Sequence, residues 1–450
     1  MDAVALARIQ FAVTVGFHYI FPSLTIGLAW LIFWIMTRYW RTGEPIYRAM
    51  ARFWIKLFGL SFAVGVATGI VMEFQFGTNW AGYSRFVGDI FGAPLAAEAL
   101  LAFFLESTFL GVLLLGWNRV SVRGHWFSSL MVAVGATLSG FWIVAANSWM
   151  QTPAGYEFNE ALGRAELTSF AAAVLNPSTV PRFLHTIAGT LVSGAFFMLG
   201  ISAWYLLKGR HTEFARRSLR PALLLGFVGS VGQLGLGHYH AVQVAATQPE
   251  KLAAIEGIFE TQRRAPALLF GIPDPDAERM RAAIRVPGLL SLMAFGSLDA
   301  EVRGLKDVPR GEWPPVALTF YSFHLMVALG MYFIALTAVG LVLLWRRALY
   351  GHFLYLRVAL TSIALPVVAA ELGWITAEVG RQPWIVYRLL RTSDAVSVVV
   401  PAGQVLFSLI MFCLIYALLF AVWVYLVWRE MRRGPEPPGG TPGGEVSQPA

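Results

Sequence analysis

The sequence is poor in charge. Only 13% of its 450 residues are charged, whereas soluble globular proteins average about 25%. The mean hydropathy is +0.62, and several apolar runs approach or exceed the roughly 20 residues with which a helix crosses a bilayer. A soluble protein is therefore excluded, and we expect an all-α integral membrane protein.

The sequence also lacks the cysteines of a disulfide framework. Its only cysteine, Cys413, lies in the last apolar run, so no intramolecular disulfide can form. No basic region precedes the first apolar segment and no cleavage site follows it, so we expect a retained helix and not a removed signal peptide. In a membrane protein, the net charge of +8 points to cytoplasmic loops and not to a nucleic-acid partner.

What the sequence does contain is a series of long apolar segments. They predict a bundle of nine transmembrane helices, at 11–37, 53–77, 93–117, 126–149, 183–207, 221–242, 316–344, 356–378 and 402–428. Lys and Arg concentrate in one set of alternate connections. The positive-inside rule then places the N-terminus outside and the C-terminus in the cytoplasm.

The chain divides around one long polar connection. The predicted parts are helices 1–6 in 1–242, an extracytoplasmic loop in 243–315, helices 7–9 in 316–430, and a disordered, Pro/Gly-rich cytoplasmic tail in 431–450. Within the loop, "KLAAIEGIFETQ" has helical periodicity. Its apolar residues share one face, and we expect Lys251, Glu256 and Glu260 to face water.

Ionisable residues inside apolar segments are costly and mark functional sites. Five candidate ligands lie on five different segments, all in the outer half of the bilayer: His18, Glu98, His185, Met326 and Glu371. Glu106 is nearer to mid-membrane. It follows Glu98 by eight residues, which is about 80° around an α-helix, so both carboxyls can face the same interior. This shared depth is expected of a ligand-bearing bundle core.

Each of these residues also has a purely structural interpretation. A lone Met in an apolar helix is usually core packing, and a buried His is more often a hydrogen-bonded helix contact than a ligand. A membrane Glu can relay protons or donate a hydrogen bond. Trp374 and Trp384 fit an interfacial belt, and Arg381 fits an interface anchor or a partner for an anionic group. Residue types alone leave these alternatives open.

Eight stretches resemble subunit I of cytochrome bd-type quinol oxidases. In chain order they are "ARIQFAVTVGFHYIFPSLTIG", "GVATGIVMEFQFGTNW", "GDIFGAPLAAEALLAFFLES", "WIVAANSWMQ", "VLNPSTVPRFLHT", "GISAWYLLKGR", "KLAAIEGIFETQ" and "ELGWITAEVGRQPW". The glutamate-bearing stretch and "GRQPW" are long and specific, which makes chance similarity a poor explanation. The ninth apolar segment resembles the family only in hydropathy.

The resemblance implies three hemes. His185 and Met326 match the axial ligands of a low-spin heme b, and His/Met ligation favours an electron carrier of raised potential. His18 and Glu371 match iron ligands of a high-spin di-heme site, where Glu98 matches a further carboxylate and candidate iron ligand. The high-spin pair is a heme b together with either heme d or a third heme b.

The resemblance also implies the reaction, in which quinol is oxidised and O2 is reduced to water. Lys251 and Glu256 match the quinol-oxidising positions of the outer loop, which this family calls the Q-loop. Glu106 matches a proton-donating carboxylate that is supplied from the cytoplasm past Ser139. This arrangement is electrogenic without a proton pump.

Two further residues are assigned to the hemes, and other features leave choices open. Trp374 is expected to help electron transfer to the di-heme site, and Arg381 to pair with a heme propionate. His324 stands where some relatives carry an arginine, two residues before the methionine ligand. The Q-loop is of the short type, which includes cyanide-insensitive oxidases. His238 and His240 have no assigned role.

The implied partners are subunit II in a heterodimer, a small single-helix accessory subunit, ubiquinol or menaquinol, O2, and the lipid of a bacterial cytoplasmic membrane. A heme-copper oxidase is excluded because the eight histidines are too scattered to form a copper-binding cluster. A heme-free proton-coupled transporter remains the alternative, because it would also use buried Glu and His. No repeat-related halves favour it.

Overall fold

The computed structural model describes residues 2–437, which are mostly helical. The α-helices are α1 (Ala3–Thr42), α2 (Pro45–Thr78), α3 (Ala81–Ala97), α4 (Phe104–Leu115), α5 (Val122–Gln151), α6 (Phe170–Val174), α7 (Thr179–Leu207), α8 (Thr212–Thr247), α9 (Pro249–Glu256), α10 (Leu289–Phe295), α11 (Val316–Trp345), α12 (Phe353–Thr361), α13 (Leu365–Val379) and α14 (Ala402–Arg433). Of the predicted tail, residues 438–450 lie outside the described part of the chain.

Nine helices in residues 2–437 are long and apolar enough to cross a membrane, which confirms the predicted number. One of them, Ala81–Leu115, joins α3 and α4 through a π-helical turn at Glu98–Phe103. Another, Phe353–Val379, joins α12 and α13. The sequence did not predict the π-helical turn, because hydrophobic periodicity does not resolve a single wide turn.

Several helices extend beyond their predicted edges. α8 begins at Thr212, well before the predicted position 221, and Pro221 lies inside it. Its polar first turns are supported by Arg217, which pairs with Glu213 one turn before and with Glu44. Hydropathy finds only the lipid-facing part of a helix, so polar extensions of this kind are missed.

The strands form four two-stranded antiparallel sheets, all in connections between the long helices. The paired strands are β1 (Tyr156–Asn159) with β2 (Arg164–Leu167), β3 (Gln262–Arg263) with β6 (Glu301–Val302), β4 (Ala267–Asp274) with β5 (Arg279–Val286), and β7 (Trp384–Val386) with β8 (Leu390–Arg391). The long connection 243–315 is therefore a folded unit that contains α9, α10 and two of these strand pairs, β3 with β6 and β4 with β5.

The bundle is organised around α7. In the most apolar 18-residue segment of α7, 83% of the residues are buried. The backbone of α7 also touches that of α1. A Cβ atom at Gly27 would lie 2.1 Å from the Thr190 carbonyl oxygen, and one at Gly194 would lie 2.4 Å from Gly27. Only glycine permits this approach, which holds the helices that bear His18 and His185 side by side.

α9 is held against the connection that follows α13 by polar and charged contacts. Glu250 accepts hydrogen bonds from Tyr387 and Arg388, at 2.7 and 2.5 Å. Lys251 and Glu256 are only 5% and 9% exposed. The expectation that they face water was therefore wrong, because Gly380 after α13 packs on the Lys251 stem and Leu268 of β4 contacts Glu256.

Candidate functional site

One cavity of about 1730 Å³ runs through the bundle and brings together most of the predicted site residues. They are His18, Glu98, Glu106, Ser139, His185, Lys251, Glu256, Met326, Trp374 and Arg381. His238 and His240 also line it, and the ring of His240 lies 5.8 Å from that of His185. Trp374 is thus a cavity residue, whereas Trp384 packs under Arg391 at 4.8 Å.

Glu371 is the exception, because it lines a separate recess of about 510 Å³ between α1, α13 and α14. Its Oε2 lies 3.4 Å from the position of a Cβ atom at Gly16, two residues before His18. Its Oε1 is buried and has no hydrogen-bond partner within residues 2–437. Of the residues matched to the high-spin site, His18 on α1 therefore lines the large cavity, whereas Glu371 on α13 lines the recess.

His18 is oriented by a hydrogen bond behind it. Its Nδ1 lies 3.1 Å from the Thr68 hydroxyl, which itself donates to the Val64 carbonyl at 2.9 Å. In the tautomer that carries the hydrogen on Nδ1, this contact holds the ring and leaves the lone pair of Nε2 free. Metal-binding histidines commonly have this second hydrogen bond.

His185 and Met326 also have open donor atoms. The Nε2 of His185 lies 3.1 Å from the Gln233 amide nitrogen. Its Nδ1 is buried without a partner among the described residues, as is the Gln233 carbonyl oxygen. The thioether of Met326 has Gly373 beside it, where a Cβ atom would approach Sδ to 2.9 Å.

A glycine stands beside four of the five candidate iron ligands. Those at 69 and 237 leave room for the rings of His18 and His185, where a Cβ atom would lie 3.1 and 3.2 Å from Cε1. Gly16 and Gly373 do the same for Glu371 and Met326. The sequence analysis did not connect these glycines with the ligands. The only local signal was that Gly16 lies two residues before His18, and Gly373 two residues after Glu371.

The two membrane carboxyls face the same cavity, as the sequence predicted. Glu98 begins the π-helical turn and accepts a hydrogen bond from Ser139 at 2.7 Å. Glu106 is 6% exposed, and α5 packs closely against it at Gly135, where a Cβ atom would lie 3.1 Å from the Glu106 Cβ. Ser139 therefore contacts Glu98 and not Glu106, to which the sequence analysis had joined it in a proton route.

The outer end of the cavity is lined by the two loop residues. Lys251 donates to the Gln151 side chain at 2.5 Å, and its stem packs on Gly380. Burial, together with the guanidinium groups of Arg381 and Arg182, holds the pKa of Lys251 well below its usual range. Burial raises the pKa of Glu256 to about 7, although a backbone hydrogen bond from Leu268 opposes the shift.

Buried guanidinium groups give this end of the cavity an excess of positive charge. Arg381 is 3% exposed and bonds Glu378 at 2.5 Å, while its Nη1 is buried and has no partner in the described chain. Arg182 bonds Asn147 at 2.5 Å and lies 4.0 Å from the same Glu378 carboxylate. The sequence analysis missed Arg182, although it lies one helical turn before His185.

These features fit hemes. The cavity is long and largely apolar, open nitrogen, sulfur and oxygen donors face it or the adjoining recess, and a buried guanidinium with a free donor suits an anionic propionate. One carboxylate, Glu378, lies between two arginines there, so an added anion would be attracted.

Comparisons with known proteins agree with this arrangement. The model of the family described as "Cytochrome bd terminal oxidase subunit I" matches residues 6–435. The cytochrome bd-II ubiquinol oxidase subunit 1 of Escherichia coli is 40% identical, over 96% of this chain and 97% of the relative. The cytochrome bd ubiquinol oxidase subunit 1 of Bacillus subtilis is 42% identical, over 97% of this chain and 95% of the relative.

The solved structure of the bd oxidase from Geobacillus thermodenitrificans is similar throughout. It superimposes with a TM-score of 0.91 at 31% sequence identity, and the match covers 96% of this chain and 99% of the other. The similarity in sequence and fold therefore extends across the membrane bundle. The chain therefore belongs to the cytochrome bd terminal oxidase subunit I family.

Proposed function

We propose that this chain carries three hemes, oxidises quinol at the outer face of the membrane, and reduces O2 to water with cytoplasmic protons. The observation that carries the proposal is the continuous cavity. It connects the buried pair Lys251 and Glu256 at one end with His185, Met326 and His18, and then with the membrane carboxyls. Such a cavity can separate quinol chemistry from oxygen chemistry within one chain.

The open donors suggest which residue holds which heme. His185 and Met326 would ligate a low-spin heme b, and His18 and Glu371 the irons of a high-spin pair, with Glu98 as a further candidate ligand. Bound hemes would supply one-electron transfer and an iron that binds O2. Arg381 would hold a propionate through its free Nη1, and Trp374 would fill the space beside the hemes.

The outer pair would bind and deprotonate quinol. Glu256 has a pKa of about 7, so it can accept a proton at neutral pH and release it outside. Lys251 keeps further N–H hydrogens beyond the one it donates to Gln151, and these would orient a quinol oxygen. Both residues are supplied by α9, whose position Glu250 fixes through Arg388.

The inner carboxyls would deliver the protons that oxygen reduction consumes. Glu106 would receive protons from the cytoplasmic side, and Glu98, with Ser139 as its hydrogen-bond donor, would stand at the oxygen site. Protons released outside and consumed from inside would generate a voltage without a pump. This direction requires the predicted orientation, with 243–315 outside and the C-terminal tail in the cytoplasm.

Further parts of the proposal concern the assembly. The chain is a multi-pass membrane protein of a multi-subunit oxidase family. We propose a heterodimer with subunit II and a small accessory subunit, in a bacterial cytoplasmic membrane. The heme spectrum distinguishes heme d from a third heme b, and turnover assays with each quinol distinguish ubiquinol from menaquinol.

The test is the heme spectrum of the purified protein. We expect one low-spin heme b and two high-spin hemes after reduction with dithionite, and a shift of the high-spin bands on addition of carbon monoxide. A band in the chlorin region identifies heme d, and its absence a third heme b. A preparation with no heme bands would reject the oxidase and favour the proton-coupled transporter.

A further inference from the structure

The β4–β5 hairpin has an apolar face that no other described element covers. Phe270 and Ile284 are cross-strand neighbours and are 53% and 58% exposed. Ile272, two residues along β4 on the same face, is 45% exposed. Large apolar side chains paired in this way are unusual on a surface that meets water.

The opposite face of the hairpin is fixed to the protein. A Cβ atom at Gly271 would lie 2.7 Å from Met280 Cε and 3.7 Å from the ring of Phe320 on α11. Met280 in turn approaches Gly257 at the end of α9, where a Cβ atom would lie 2.6 Å from its Sδ. Because this face is packed against α9 and α11, the apolar face must point away from them.

A hydrogen bond fixes the depth of the hairpin. Nε2 of His324 on α11 lies 2.8 Å from the Leu268 carbonyl oxygen of β4. α11 has 30 residues and is about 45 Å long. It therefore exceeds a hydrocarbon core of about 30 Å by roughly 7 Å at each end. His324 is eight residues, or about 12 Å, from the start of α11, which places Leu268 about 5 Å on the hydrocarbon side of the boundary between headgroups and hydrocarbon.

The charges of β5 suit this boundary. Arg279, Arg281 and Arg285 are exposed along the strand, and Arg281 pairs with Asp274. Arg285 lies opposite Leu268 and has no carboxylate partner among residues 2–437. Arginine at the edge of an apolar surface can bury its stem in that surface and reach lipid phosphates with its guanidinium.

The apolar surface continues on α10. Met293 and Phe295 are 46% and 45% exposed. Met293 also lines the large cavity, as does Leu269 of β4, which is 64% exposed. α10 and the hairpin therefore border the same opening, and both present apolar side chains beyond it.

We propose that the exposed face of the β4–β5 hairpin, with α10, is embedded at the headgroup level of the lipid leaflet in which α11 begins. The partner is the bilayer itself, with acyl chains against Phe270 and Ile284 and phosphate groups against Arg285. Each strand of the hairpin has one edge without a strand partner, which suits the hydrated headgroup region and not the hydrocarbon interior. The contact requires neither bound heme nor quinol turnover.

The test measures the depth of single spin labels in the complete complex, reconstituted in nanodiscs of phosphatidylethanolamine and phosphatidylglycerol. Cys413→Ser removes the one native thiol of this chain and supplies the background signal. Phe270→Cys and Ile284→Cys then place labels on the apolar face. Asp276→Cys, in the turn of the same hairpin where the side chain is fully exposed, is the matched control.

We expect labels at 270 and 284 to collide with oxygen at least threefold more than with a water-soluble nickel chelate, relative to the label at 276. Equal nickel accessibility at all three positions would show that the face meets water and would overturn the proposal. Low accessibility to both reagents at 270 and 284 would show that another subunit covers the face, which would overturn it as well. Because the readout is independent of heme spectra, it fails or succeeds separately from the proposed oxidase function.

Discussion

Met326 is a residue whose proposed role depends on one atom, its thioether sulfur. Gly373 stands beside its Sδ, and the residue lines the large cavity. Leucine has nearly the same volume, so Met326→Leu should change the free energy of unfolding by less than about 1.5 kcal/mol. It should nevertheless convert the low-spin heme to a high-spin form or release it, and quinol oxidation should fail.

The control for this variant is the carbon monoxide difference spectrum, which reports the di-heme site and should remain. Absorption spectra of the reduced protein measure the low-spin band directly. If that band is unchanged in Met326→Leu, methionine is core packing and the ligand lies elsewhere.

Glu256 should set the pH dependence of quinol oxidation. Burial raises its pKa to about 7, and a proton acceptor works only when it is ionised. Turnover should therefore rise with pH up to about 7 and level off above it, falling by about tenfold per unit on the acid side. Steady-state quinol oxidase assays across this range measure the profile.

Glu256→Gln keeps the shape of the side chain and removes the acceptor. Quinol turnover should fall by on the order of 100-fold and lose its acid limb, while dithionite, which bypasses the quinol site, should still reduce every heme. Wild-type turnover in this variant would place the quinol site elsewhere.

Among the elements, the π-helical turn at Glu98–Phe103 determines the relative direction of the two membrane carboxyls. Deletion of Leu100, which is 64% exposed, should restore a continuous α-helix and rotate the preceding segment by about 100°. Glu98 would then leave Ser139, and the high-spin hemes should be lost while the low-spin heme remains.

Leu100→Ala is the matched control, because it removes the same side chain and keeps the register. We expect its heme spectrum to equal that of the unmodified protein. Loss of all hemes in both variants would mean that the segment responds to side-chain packing and not to its helical register.

The helices could be predicted from the sequence, whereas much of the outer loop could not. Apolar runs gave the nine spans because burial in lipid is a local property of each segment. The positions of Lys251 and Glu256 depend on contacts such as Glu250 with Arg388, which are 138 residues apart in the chain. Periodicity therefore predicted that this face of α9 meets solvent, whereas other parts of the folded chain bury it. The β4–β5 hairpin was missed because its pattern is interrupted by bulges.

The same division holds for the site. Depth within the spans made His18, Glu98, His185 and Glu371 candidates, because an ionisable group in lipid is conspicuous. Met326 became a candidate through the family resemblance, since a lone Met in an apolar helix is usually core packing. The supporting groups were missed, since Thr68 and Gln233 are ordinary residues whose importance comes only from their neighbours. The recess that isolates Glu371 from the main cavity likewise depends on the packing of α14.

For the whole molecule, the proposed activity has a direction, because quinol and oxygen chemistry occupy different depths. The outer pair lies in α9, beyond the end of α8, whereas Glu106 lies in the interior of the membrane span Ala81–Leu115. Proton release outside and uptake from inside would then move charge across the membrane with each electron. Substitution of Glu106 isolates the inner half of that path.

Glu106→Gln should leave the low-spin heme and its reduction by quinol intact, because both depend on groups nearer the outer face. A carboxyl can give up a proton and be protonated again, whereas glutamine cannot, so oxygen reduction should slow by on the order of 100-fold. The voltage formed by enzyme in sealed vesicles, measured with a potential-sensitive dye, should fall in proportion. Glu106→Asp keeps the acid with a shorter reach and should be intermediate. If Glu106→Gln turns over and generates voltage like the unmodified protein, Glu106 is a structural hydrogen-bonding group and the proton path runs elsewhere.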